Sequence, residues 1–268
     1  ESSAASDVYK RQEQQMAGIK ISDIKEEFAA SNIEGYTDLI AKYSDDERAG
    51  VINLIKRYQK EIDKHNKEVE RTYNMQAFER KYSEYQYICG IDEVGRGPLA
   101  GPVCAGAVIL PKDVDILYIN DSKQLSAAKR EELYDIIKEK AIAVKTAYSS
   151  PEVIDDINIL QATYRAMREA INELDVKPDI LLNDAVNIPE VNIKQVPIIK
   201  GDAKSISIAA ASIIAKVERD RLMVMYDELY PEYGFAKNKG YGSKEHIEAL
   251  RKYGPCPIHR RSFIKGLI

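Results

Sequence analysis

Four carboxylates are the residues of this chain best placed to do chemistry. Asp92 and Glu93 close an apolar run that begins at Tyr87, and Gly95, Arg96 and Gly97 follow them. Asp184 ends a second apolar run, residues 178–184, and Asp202 stands just before a long alanine-rich stretch. Brought together, four carboxylates repel one another and are costly to desolvate, so such a cluster is stable mainly with cations. Oxygen ligands without His or Cys favour magnesium or manganese over zinc. Two such ions can activate a water and stabilise the leaving oxygen of a phosphodiester. Arg96 adds a fork of donors suited to phosphate. Ordinary turns remain open readings for Asp92, Glu93 and Asp184, and N-capping of the following helix for Asp202.

Positioning those residues needs strands. Neighbouring strand side chains point to opposite faces, so Asp92 and Glu93 can share one site only if the chain bends there, and Gly95 and Gly97 permit a bend. Strands are expected at residues 87–92, 103–110, 141–149, 179–184 and 196–199. Helices are expected at 126–140, 151–156, 159–174, 203–229 and 244–253. This order predicts an α/β sandwich with a mixed sheet flanked by helices, with sites beyond the strand ends.

Upstream the pattern is helical. Ile21, Ile24 and Phe28 share a face, a second short helix is expected at 36–43, and Val51, Ile55, Tyr58, Ile62, His65 and Val69 recur at spacings of four and three. A small all-helical module is therefore expected over residues 16–80, with the boundary in the tyrosine-rich segment 73–85 and the second domain over 85–268. Residues 1–15 are polar and aperiodic and read as a tag, an assembly remnant or a disordered leader.

The 268 residues carry a net charge of -4. From Lys200 onward 13 Lys or Arg face 8 Asp or Glu, a local net of +5, so the remainder carries -9. A basic final third beside an acidic cluster is compatible with a phosphodiester substrate. Cys89, Cys104 and Cys256 form neither a zinc pattern nor a disulfide framework, and a reducing cytoplasm is the simplest setting. No apolar run reaches bilayer length, and no membrane partner is expected.

The segment GIDEVGRGPLAGP at residues 90–102 resembles the opening motif of the ribonuclease HII family, the bacterial type 2 ribonuclease H. The likeness continues in order through DSKQLS at 121–126, KGDAKS at 200–205, IAAASIIAKV at 208–217, KGYGS at 239–243 and HRRSF at 259–263. The resemblance implies a ribonuclease H-like fold and a pair of Mn2+ or Mg2+ ions held by Asp92, Glu93, Asp184 and Asp202. It further implies that Gly95, Arg96 and Gly97 meet the 2′-OH of a ribonucleotide, that Tyr241 stacks on the next sugar, and that Lys123 and Lys204 contact phosphate. Without it Tyr241 would read as a surface-loop aromatic, and the two lysines as solvated surface. Asn183 stands where the family usually has an aliphatic residue. The expected activity is endonucleolytic cleavage of the RNA strand of RNA/DNA hybrids and 5′ of ribonucleotides in duplex DNA, leaving 3′-OH and 5′-phosphate ends. The expected partners are those nucleic acids, and the chain is expected to act as a monomer. The rival readings are the sister family ribonuclease HIII and a hybrid-binding module without catalysis.

Overall fold

The computed structural model describes residues 19–267, so the expectation for residues 1–15 lies outside the described residues. The chain divides into two compact units between Arg71 and Thr72. No helix among the described residues is long and apolar enough to cross a membrane.

The first unit is built on α1 (Ile21–Ala30), α2 (Ile33–Lys42) and the long α3 (Ala49–Met75). Asn32 caps α2 by accepting from the Gly35 amide. Ile24, Phe28, Tyr43, Val51 and Tyr58 make its core, with Phe28 stacked on Tyr58 at 4.5 Å between ring centres. The 3.6-residue period of α3 is what turns Val51, Leu54, Ile55 and Tyr58 to one side.

In the second unit the short α4 (Ala77–Lys81) precedes β1 (Ile88–Val94) and β2 (Val103–Ile109). Then come α5 (Ala127–Lys140), β3 (Ala143–Ser149), α6 (Pro151–Asn172), β4 (Ile180–Asp184), β5 (Lys194–Ile198) and α7 (Ile206–Leu229). Three short helices close the chain: α8 (Phe235–Asn238), α9 (Lys244–Tyr253) and α10 (Arg261–Ile264). The sheet order is β3-β2-β1-β4-β5, antiparallel from β3 to β1 and parallel from β1 to β5. The mixed sheet flanked by helices is the ribonuclease H-like architecture expected from the sequence.

Its two faces are covered differently. On one, α6 lays Ala166, Met167, Ala170 and Ile171 against Cys89, Ile91, Ala105 and Leu181. On the other, Ala209, Ala210, Ile213 and Ile214 of α7 pack with Val108 and with Leu133 and Ile137 of α5. The alanines let α7 approach the sheet closely. At Gly90 the approach is closer than a side chain allows, since a Cβ there would lie 2.1 Å from the Ser207 backbone. Asn158, at φ 68°, interrupts α6 where two helices were expected. β5 starts two residues before its expected start and accommodates Pro197 as an edge strand.

Candidate active site

β1 and β4 carry two of the carboxylates to the same end of the sheet. Their parallel register pairs Ile91 with Asn183, which brings Asp92 level with Asp184 one residue further on. Asp92 is only 5% exposed; its Oδ1 accepts from the Glu93 amide at 2.8 Å, and the Ser212 hydroxyl of α7 bonds the same carboxyl. β1 continues through Glu93 to Val94, so the bend expected at the pair comes later, at Gly95. Asn183 is fully buried, and its amide donates to the Gln195 side chain at 2.8 Å and to the Val186 carbonyl. The polar residue beside Asp184 thereby ties β4 to β5 and to the loop between them.

Asp202 reaches the site from a single 3-10 turn, Gly201–Ala203, that follows Lys200 in the left-handed region. This turn is anchored from two sides. The Gly201 amide donates to Asp184 Oδ1 at 2.7 Å. On the other side Ser205 caps α7 and donates its hydroxyl to Glu79 Oε1 at 2.6 Å, while the Ser207 amide donates to the same oxygen at 3.0 Å. Glu79 lies on α4, far upstream in sequence, and its burial raises its carboxyl above the usual range.

The electrostatics record how close the acids stand. Burial first, then the charges of Glu93 and Asp184, push Asp92 well above the ordinary carboxylate range. Burial also raises Glu93, aided by Asp184 and opposed by Arg96, whose Nη1 lies 3.3 Å from Glu93 Oε1. Asp202 is raised by burial, by Asp121 and by Asp184. Lys123 sits among these groups, on the 3-10 turn Ser122–Gln124. Burial opposes its charge, yet Asp121, Asp92, Asp202 and Asp184 hold its ammonium above the usual lysine range. Ser122 Oγ and Ser212 Oγ, 2.9 Å apart, link that turn to the helix that also touches Asp92.

Among the described residues no three acidic, His or Cys side chains stand in an arrangement that encloses a metal ion. The donor set nevertheless fits a hard divalent cation. Buried carboxylates that raise one another's proton affinity are groups an added positive charge would relieve.

A second cluster lies beyond the end of β1. Gly95 has φ 89°, and a Cβ there would fall 2.1 Å from Arg219 Nε, so only glycine fits. Gly97 faces Tyr241, whose Cε1 would be 3.7 Å from a Cβ at that position. Tyr241 is 44% exposed, leaving ring surface for a ligand. Lys204 is exposed two residues beyond Asp202. The structure therefore places Gly95, Arg96, Gly97 and Tyr241 at one locus and Asp92, Glu93, Asp184, Asp202 and Lys123 at the adjoining one.

Two arginines that the sequence reading passed over hold the first locus together. Arg260 is fully buried and donates to the carbonyls of Gly101, Arg96 and Gly95 at 2.9, 2.9 and 2.5 Å. Arg219, also fully buried, donates to Pro102, Lys239 and Ala100. Burial lowers both, Arg260 to about 9, with the neighbouring Arg219 charge adding to its shift. The Tyr241 carbonyl in turn accepts from His246 Nδ1 at 2.8 Å. His246 Nε2 must then accept from His259 Nε2 at 3.0 Å, and His259 Nδ1 accepts from the Cys256 amide at 3.0 Å. The only sequence sign of this scaffold was HRRSF, a motif quoted for its resemblance without a role for each residue.

Comparison with known proteins gives this arrangement a family. Residues 89–266 match the family model described as "Ribonuclease HII", and residues 20–83 match "Ribonuclease HII N-terminal domain". A ribonuclease HII of Lachnoclostridium phytofermentans is 63% identical over 249 residues, 93% of this chain and 98% of that protein. One from Clostridioides difficile is 52% identical over 92% of this chain and 98% of its own length. Among solved structures, ribonuclease H2 from Pyrococcus horikoshii aligns with a TM-score of 0.56 at 29% identity, covering 66% of this chain and 93% of that one. With its family models spanning both units and close relatives along nearly its whole length, the chain belongs to the ribonuclease HII family and is a ribonuclease H hydrolase.

Proposed function

We propose that this enzyme is a divalent-metal-dependent endonuclease that cuts 5′ of ribonucleotides embedded in duplex DNA, as well as the RNA strand of RNA/DNA hybrids. The observation that carries the reading is the adjacency of the carboxylate cluster to the Gly95–Gly97 loop, where Arg96 pairs with Glu93 and Gly97 faces the Tyr241 ring. The 2′-OH is the group that separates RNA from DNA, and donors and acceptors on the Gly95, Arg96 and Gly97 backbone are suited to it. A flat ring at Tyr241 can then stack on the neighbouring sugar without demanding a base.

Asp92, Glu93, Asp184 and Asp202 would hold two Mg2+ or Mn2+ ions. When bound, such ions lower the pKa of a water nucleophile and offset charge on the leaving oxygen. The protein's share is positional. Asp184 and Glu79 fix the turn that presents Asp202, and Ser212 fixes Asp92. Arg96 and Lys123 neutralise part of the acidic field and offer phosphate contacts. Lys204 is a further phosphate contact at the exposed rim. The ends produced would be 3′-OH and 5′-phosphate.

The test is a labelled DNA duplex with one ribonucleotide, run beside an all-DNA duplex and an RNA/DNA hybrid, with Mg2+, Mn2+ or EDTA. A single cut 5′ to the ribonucleotide that disappears with EDTA is the expected result. Cleavage of the hybrid alone would transfer the enzyme's specificity to that of the sister family, and binding without cleavage would remove the catalytic reading.

A further inference from the structure

A chain of hydrogen bonds runs from the loop after α9 to the Tyr241 peptide, and its two backbone ends fix its direction. The Cys256 amide can only donate, so His259 Nδ1, 3.0 Å away, is the acceptor. The Tyr241 carbonyl can only accept, so His246 Nδ1, at 2.8 Å, carries a proton. Burial lowers both rings from 6.5, His259 to about 4, which keeps them neutral at neutral pH, and a neutral imidazole has one N–H. His259 is then protonated on Nε2 and His246 bare on Nε2, and these two atoms face each other at 3.0 Å. Assignments made from opposite ends of the chain thus meet as donor and acceptor. Both rings are buried. Phe235 meets His246 edge-on with ring centres 5.3 Å apart, and Tyr233 meets His259 in the same way at 4.9 Å, packing that opposes a ring flip. His259 also bridges to Ala100 and precedes Arg260, so the relay adjoins the Gly95–Gly101 loop.

The far end of the relay is where position matters. The Tyr241 ring is half exposed, so its bearing depends on its peptide more than on packing. That peptide has few anchors: its amide donates to the Asn238 carbonyl at 2.9 Å, and its carbonyl accepts from the Ser243 amide at 2.8 Å and from His246.

We propose that His246 is a positioning residue for the substrate, holding Tyr241 beside Gly97 in the one tautomer that His259 selects. The proposal rests on the stacking role given to Tyr241 above. With its proton on Nε2 instead, His246 would turn a lone pair towards the Tyr241 carbonyl, and the two would repel. His259 prevents this by donating to that nitrogen. Among the described residues, neither histidine is hydrogen-bonded to the four carboxylates, so loss of the relay acts on substrate affinity and not on the chemical step.

The chain has three histidines, so nitrogen-15 labelling of histidine in the full chain gives a short set of ring-nitrogen signals. His246 should be protonated on Nδ1 and His259 on Nε2, and the opposite tautomer of either overturns the proposal. Steady-state cleavage of a duplex with one ribonucleotide, with Mn2+, tests the role. His246→Phe should raise KM about 2- to 12-fold, the worth of one hydrogen bond, with kcat within about twofold of the parent. His259→Leu, which leaves His246 Nε2 without its donor, should raise KM by a similar factor. His259→Gln, whose side-chain amide can donate from the place of Nε2, should keep KM within about twofold of the parent. Circular dichroism verifies that the variants are folded. A glutamine variant as impaired as the leucine variant would reduce the pair to packing and overturns the proposal. So does an unaltered KM in His246→Phe where Tyr241→Ala raises it. An unaltered KM in both rejects instead the stacking role of Tyr241 on which the proposal rests.

Discussion

Arg260 and Gly95, 165 residues apart in the chain, are joined by a 2.5 Å hydrogen bond in which Nη2 donates to the Gly95 carbonyl. The same guanidinium reaches Arg96 and Gly101, so one buried side chain sets the path of the loop proposed to meet the 2′-OH. Lysine cannot span three carbonyls. Arg260→Lys should leave about two of them unpaired, at roughly 1–3 kcal/mol each, and lower kcat/KM on the embedded ribonucleotide at least about tenfold. Urea unfolding and cleavage assays check both; a variant as stable and as active as the parent would remove the role assigned to Arg260.

Asp92→Asn should separate catalysis from stability. Removing one charge from a buried, mutually repelling set should raise the thermal midpoint of the metal-free protein near neutral pH. The same change should cut cleavage by about a thousandfold or more, if ion binding is the cluster's purpose. Melts in EDTA and with Mn2+, beside single-turnover cleavage, measure the two effects. A destabilised metal-free variant contradicts the repulsion argument.

Tyr241→Phe should retain most activity, whereas Tyr241→Ala should lose about 5- to 160-fold in kcat/KM, the value of one stacking contact of about 1–3 kcal/mol. Since the ring is half exposed, both variants should melt within a few degrees of the parent. Equal activity of the alanine variant would leave Tyr241 a surface aromatic.

Acid should act through the His246 and His259 pair. Burial lowers both from the ordinary 6.5, His259 to about 4. In that window the unfolded chain binds more protons than the folded one, so stability is fully present above pH 6.5 and is lost as pH falls towards 4. His259→Gln should flatten this slope between those pH values in a series of thermal melts. A slope as steep as the parent's would place the acid sensitivity elsewhere.

Glu79→Ala should impair cleavage from outside the carboxylate cluster. It leaves the Ser205 hydroxyl and Ser207 amide without their shared acceptor, next to the turn that holds Asp202. The expected signature is a higher Mn2+ concentration for half-maximal rate, about threefold or more, with Glu79→Gln closer to the parent because its carbonyl oxygen still accepts. Loss of stability with unchanged metal dependence would make Glu79 a structural residue only.

What was legible in the sequence were the features set locally. The apolar runs ending at Asp92 and Asp184 read as strands because burial on both faces of a central sheet demands unbroken hydrophobicity. The interruption at Asn158 falls in the gap between the helices expected at 151–156 and 159–174. The roles of Arg219, Arg260 and Glu79 were not readable, since charged residues ordinarily lie at the surface. Their burial arises only when segments near residues 79, 95–102, 205, 239 and 260 converge, and no local pattern encodes that convergence.

β1 is the middle strand of five, bonded to β2 on one edge and to β4 on the other. Amide protons in a strand enclosed in this way exchange with deuterated solvent only when the whole unit opens. The segment bearing Asp92 and Glu93 should accordingly take up deuterium at the slowest rate in its unit. Partial opening elsewhere would leave this edge of the carboxylate cluster intact, and the enzyme would lose that edge only together with its fold.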